Sequence, residues 1–165
     1  MGLTIRPSKP EDAEALARSW LEGAQELIDL APKRFRLPES RGLVEFFRGD
    51  LEHDAPDVLS LVAELDGQVV GSLEARLLRL MESARFQVVE GLGQLRIYVD
   101  HLRVHPPFRR QGVATRLMAE AERWGRHHGA TSIALDTYAD SPLSVEFYEA
   151  AGYHRTSTVF EKRLD

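Results

Sequence analysis

Apolar residues in the first part of the chain return at every third or fourth position. Ala13, Leu16, Ala17, Trp20, Leu21, Ala24, Leu27 and Ile28 form one stripe, which predicts a helix from about Glu11, with Trp20 in its buried face. Ahead of it LTIRP (3–7) alternates and stops at a proline, as a strand does. APKRFRLPES (31–40) is a loop, and a second helix from Ser40 buries Leu43, Phe46, Phe47 and Leu51 until HDAPD breaks it. The period then changes to two. VLSLVAEL (58–65) and QVVGSLEARLL (68–78) are strands around Asp66-Gly67, a strong hairpin turn. RLMESARFQVVEGLG is either a loop or an extension of that hairpin, with Gly91 and Gly93 marking a turn.

QLRIYVDHLRV (94–104) alternates up to His105-Pro106-Pro107. After it a helix carries Leu117, Met118, Ala121, Trp124 and Gly125 on one face and ends at Gly129. TSIALDTY (131–138) is a strand. Ser141 and Pro142 open a short helix, as N-cap and first helical residue, that holds Val145, Phe147, Tyr148 and Ala151 and ends at Gly152. STVFEKRL closes the chain as a strand. The order β-α-α-β-β-β-α-β-α-β makes a mixed α/β fold, a hairpin region followed by right-handed crossovers.

The 165 residues predict one domain, 1–165. A 43% hydrophobic and 28% charged composition is that of a soluble globular protein, and a net charge of −5 argues against nucleic acid as partner. There is no cysteine, so thiol nucleophiles, disulfides and thiolate metal sites are excluded. MGLTIRPSKP lacks the apolar core of a signal peptide, and no apolar run approaches a membrane span. A cytoplasmic location, off the membrane, is the expectation.

The chemistry-bearing stretch is RRQGVATRL (109–117). A helix start offers unpaired N–H groups and partial positive charge, together an anion site. Gly112 lets the backbone approach a ligand, Ala114 keeps the next turn clear, Arg109 and Arg110 add charge, and Thr115 offers a hydroxyl. The same residues also read as a basic turn between strand and helix. Neither the P-loop pattern nor G-x-G-x-x-G is present.

R-x-x-G-x-A, Arg109 to Ala114, resembles the acyl-CoA-binding motif of the GNAT superfamily of N-acetyltransferases. LRVHPPFRRQGVATRLM, SVEFYEAAGY, IRPSKPEDAEAL and DGQVVGSLEA resemble further segments of that family in the same order. The resemblance implies a centrally splayed β-sheet flanked by helices, with acetyl-CoA entering between the fourth and fifth strands. It implies that the backbone of Leu102, Arg103 and Val104 pairs with the pantetheine arm. The segment Arg109, Arg110, Gln111, Gly112, Val113, Ala114 and Thr115 then cradles the pyrophosphate, and Tyr148 protonates the leaving thiolate. Ser141 stands where the family often has asparagine, so it is a helix cap first and a cofactor contact second.

Direct transfer to an amine needs a group that takes the amine's proton, and Asp100, His101 and Asp136 are the candidates. Alternation sets Asp100 and Leu102 on one face and His101 and Arg103 on the other, unless a bulge breaks the parity. Glu22 and Gln25 are placed by position beside the acceptor. His127-His128 reads as a helix C-terminus rather than a metal site, and no metal is expected. The reaction implied is acetyl transfer from acetyl-CoA to a small-molecule or peptide amine, by a chain that is monomeric or a homodimer. The alternative is a non-catalytic acyl-CoA-binding or sensing domain.

Overall fold

Asp66 and Gly67 both lie at positive φ, 50° and 80°, as a two-residue hairpin turn requires. They join β2 (Val58–Leu65) to β3 (Gln68–Leu78), at the boundaries the alternation predicts. The computed structural model describes residues 2–53, 55–162 and 164. Its sheet has the order β1-β2-β3-β4-β5, with β1 Thr4–Pro7, β4 Arg96–Val104 and β5 Ser132–Leu135. The first four strands run antiparallel to their neighbours, and β5 runs parallel to β4 after the crossover through helix α3 (Val113–His127). Helices α1 (Ala13–Leu30) and α2 (Leu43–Glu52) precede the hairpin, and α4 (Pro142–Ala150) follows β5.

The core lies between one sheet face and α3. Leu61, Ala63, Leu73, Ala75, Val99 and Val104 meet Val113, Leu117, Met118 and Ala121, all buried. Gly71 in β3 has no room for a side chain, since a Cβ there would lie 2.9 Å from the carbonyl oxygen of Arg103. On the opposite face α1 is pinned by charge as well as by Ala13, Leu16 and Ala17. Arg6 of β1 donates to Asp12 at 2.8 Å and 2.9 Å and to Glu64 at 2.8 Å. Burial alone would push the Asp12 carboxyl up; the Arg6 guanidinium and the Lys9 N–H hold it below the usual carboxylate range.

Three expectations change. The stripe that reads as buried in α2 is not: Phe46 is 65% exposed, because α2 lies against α1 and the turn before it rather than over the sheet. Trp20 is likewise 43% exposed, at the edge where α1 meets Phe47 of α2. The described part of STVFEKRL forms no strand; Val159 and Phe160 are exposed, and Arg163 lies outside the described residues, as does Asp54 of the HDAPD break. β5 is only four residues long, too short an edge to register an eight-residue segment.

Candidate active site

The strand-to-helix passage at 104–116 is built from backbone geometry. A short turn, Pro106–Phe108, follows β4. Arg110 then takes φ 62° and Gly112 φ 79°, two left-handed residues within three. A Cβ on Gly112 would meet open space, so the glycine serves its dihedral and not a tight internal contact. The first helical bond of α3 is Arg116 N–H to Gly112 O at 3.0 Å. The N–H groups of Val113, Ala114 and Thr115 therefore face out of the helix end without helical partners. Val113 turns its side chain into the core, Ala114 is half-buried, and Arg110 and Thr115 are exposed. Gln111 Nε2 donates to Pro107 O at 3.0 Å and closes the loop on itself. Arg109 does not stand free at the rim. Its Nε donates to Val104 O at 2.9 Å and its Nη2 to both oxygens of Glu26 at 2.8 Å.

Beside this loop the sheet opens. β5 pairs with β4 only from Arg96↔Ser132 to Val99↔Leu135, so residues Asp100 to Val104 keep one edge without a neighbouring strand. His105 N–H donates to Val70 O at 2.9 Å. By alternation the backbone groups of Arg103 also face β3, and those of Leu102 and Val104 face the open edge. Of the three backbones expected along a pantetheine arm, Arg103 is thus already committed within the sheet.

After β5 comes α4, which packs Phe147 and Tyr148 against the core. Val145 N–H donates to Ser141 O, so Ser141 is at the N-cap position, but its hydroxyl donates to the Ser144 hydroxyl at 2.9 Å and caps no N–H. Serine at that place is held by its neighbour one turn on. Tyr148 packs beside Phe147 and Tyr153 with ring centroids 5.1 Å and 5.7 Å away. Burial, with help from the Asp136 carboxylate, pushes its phenol up to about 12, so it keeps its proton at neutral pH. Asp136, just past β5, accepts a hydrogen bond from the Tyr98 hydroxyl.

The parity of β4 is broken. Glu74 pairs with His101 and Ala75 with Val99, leaving Asp100 as the extra residue of a bulge. Val99, Leu102 and Val104 consequently share the α3 side, while His101 and Arg103 face α1. The structure does not bring the three base candidates together. Asp100 ion-pairs with Arg76 at 3.2 Å, and Asp136 belongs to the Tyr148 side. His101 lies 3.1 Å from the Ser72 hydroxyl and 5.4 Å from the Trp20 ring. Burial, then the nearby Arg103 charge, lowers it to about 4 and keeps it neutral. Glu74, its cross-strand partner, is pushed up by burial and by the Asp50 and Asp100 carboxylates. Trp20 thus touches Phe47 on one side and His101 on the other, and the Glu74 carboxyl opposite His101 lies within reach of the Asp50 charge.

Glu22 accepts from His105 at 2.8 Å, and Gln25 donates to Asp29 at 2.8 Å. Sequence reasoning passed over Glu26 and Asp50. The available signal for the first was Gly23, an isolated glycine inside a helical pattern, which asks for a packing reason.

Residues 24–153 match the acetyltransferase (GNAT) family. The chain is 30% identical to an aminoglycoside N(6′)-acetyltransferase type 1 of Acinetobacter haemolyticus over 99% of this chain and 100% of that one. Its fold matches a solved structure of AAC(6′)-Iy in complex with the bisubstrate analogue CoA-S-monomethyl-acetylneamine, 24% identical, with a TM-score of 0.68 over 100% of this chain and 99% of that chain. A solved variant of the BH1408 protein of Bacillus halodurans, 18% identical, matches with a TM-score of 0.82 over 98% of this chain and 99% of that one.

Proposed function

This chain belongs to the GNAT acetyltransferase family and is an acetyl-CoA-dependent N-acetyltransferase, and from that premise we propose that its acceptor is the 6′-amine of an aminoglycoside. The full-length likeness to the Acinetobacter haemolyticus enzyme carries this reading. The partly exposed Trp20 beside His101, and the carboxylates of Glu74 and Asp50 near them, support it, since carboxylates attract a polycation and an indole face packs on the C–H face of a sugar.

The residues fit the cofactor. After left-handed Arg110 and Gly112 the N–H groups of Val113, Ala114 and Thr115 are left without helical partners at the helix end, donors that a pyrophosphate can use. Leu102 and the N–H of Val104 offer the arm an open strand edge. Bound acetyl-CoA supplies an activated acyl group. Tyr148, protonated at neutral pH, is the group that gives its proton to the departing sulfur. On the acceptor side Glu74, a carboxyl raised by burial and by the Asp50 and Asp100 carboxylates, takes the proton of the amine, and neutral His101, seated on Ser72, stands opposite it on β4. Most of the rate comes from holding amine and thioester together in the gap between β4 and β5. A single domain carries these parts.

The test is thiol release from acetyl-CoA with a panel of amines. An aminoglycoside with a 6′-amine turns over, and its counterpart with a 6′-hydroxyl does not. Turnover of some other amine class with no aminoglycoside activity overturns the acceptor assignment and leaves the acyl transfer standing.

A further inference from the structure

Gly23 sits inside α1, where glycine costs about 1 kcal/mol relative to alanine. The reason for it is Arg103. A Cβ on Gly23 would lie 2.9 Å from Arg103 Nη1. Arg103 is 9% exposed, and the carboxylates it meets are one helical turn apart around that glycine. Its terminal nitrogens lie 3.3 Å from the two Glu26 oxygens and 3.7 Å from Glu22. Arg109 reaches the same Glu26 carboxylate from the loop after β4, at 2.8 Å to both oxygens. Burial alone would push Glu26 up; the bonds from Arg109 and Arg103 hold it below the usual carboxylate range, so it is charged and bridges two guanidinium groups.

We propose that Glu26 is a positioning residue for acetyl-CoA: by gripping Arg109 it ties the loop 105–112 to the helix carrying Trp20 and holds it in the shape that receives the cofactor's pyrophosphate, and through Arg103 it fixes that helix to β4. This rests on the reading of that loop as the cofactor site. A left-handed non-glycine residue such as Arg110 persists only where its surroundings hold both sides of it. On the far side α3 is anchored by Val113 and Leu117 in the core. On the near side Phe108 packs against the core, and the next residue, Arg109, is tied by its side chain to Val104 O and Glu26. Val104 O lies on the open edge of β4, so Arg109 also ends that edge where the chain turns to the helix. Without the Glu26 charge, Arg103 and Arg109 face one another with no carboxylate between them. Arg103 is buried and cannot leave; Arg109, with 30% of its side chain exposed, swings to water and takes the loop with it. Glu22 cannot replace Glu26, because its carboxylate is occupied by His105.

Glu26→Gln and Arg109→Lys test this singly and together. Each single change raises KM for acetyl-CoA about tenfold, with kcat within about threefold and KM for the acceptor within about twofold, the loss expected for one charge-assisted grip. The double variant is no worse than either single one, because both break the same link. An unchanged KM for acetyl-CoA in Glu26→Gln, multiplying losses in the double variant, or a fall in kcat alone each overturns the proposal. If Glu26→Gln does not fold, Arg109→Lys on the exposed loop decides by the same KM split: lysine keeps the charge but cannot hold Val104 O and Glu26 together. Gly112→Glu separates the two levels of inference. If it is stabilised by coenzyme A as well as the wild type, the loop is not the cofactor site and both readings fall. If it loses that stabilisation while Glu26→Gln keeps normal KM, only the role of Glu26 falls.

Discussion

At the scale of single residues, Tyr148 separates an enzyme from a binder. Its ring is fixed by Phe147 and Tyr153, and its phenol, pushed up to about 12 by burial and Asp136, holds a proton at neutral pH. Tyr148→Phe keeps the ring contacts, so stability and stabilisation by acetyl-CoA change little. Turnover falls at least about tenfold where the chemical step limits the rate. An undiminished single-turnover rate returns Tyr148 to a packing role. The tyrosine was legible in SVEFYEAAGY. The Ser141–Ser144 hydroxyl pair was not, because a cap is read from residue type while the direction of a hydroxyl depends on what stands one turn away.

Elements make the site by their ends. β4 is paired on both sides for its first residues and on one side beyond Val99, and α3 begins with outward N–H groups where that edge stops. The joint between them depends on Gly112 at φ 79°. Since a Cβ there meets open space, Gly112→Ala isolates the dihedral cost, about 1 kcal/mol. We expect thermal unfolding to move down by about 2–4 °C without ligand. The shift produced by saturating acetyl-CoA shrinks as well, since the turn that leads into the free N–H groups of α3 is strained. A variant as stable as the wild type, with the full ligand shift, shows that the turn tolerates a side chain and that the left-handed conformation is not needed.

For the whole molecule, a neutral histidine against the sheet links stability to pH. The ordinary imidazole value is about 6.5, and the folded protein lowers His101 to about 4. Protonation is therefore harder in the folded state, and the stability present above pH ~6.5 is lost as pH falls toward the folded value. Asp12 and Glu26, held low, add losses only below the carboxylate range, and Glu74, held high, acts in the opposite sense. The His101 part is isolated by comparing wild type with His101→Gln in denaturant unfolding. Between pH 7 and 4.5 the wild type loses on the order of 2 kcal/mol more than the variant. Parallel curves would show that His101 protonates as freely when folded as when unfolded.

The sequence by itself determined whatever depends on neighbours along the chain. The period of two and Asp66-Gly67 set the β2–β3 hairpin, the period of three to four set α1 and α3, and Ser141-Pro142 set the start of α4. Gly112 after two arginines marked the loop, since a left-handed residue before a helix is a local demand. Only the tertiary structure decided what meets across the sheet. The bulge at Asp100 assigned His101 and Arg103 to the α1 side, because one unpaired residue reverses the parity of every side chain after it. Glu26, 77 positions before Arg103 and 83 before Arg109, became their shared partner through the packing of α1 on β4. Trp20 and Phe46, apolar in the pattern, stayed open because α2 lies beside α1 and not over the strands. Periodicity reports which residues share a face; what covers that face is set by the arrangement of whole elements, which no local window contains.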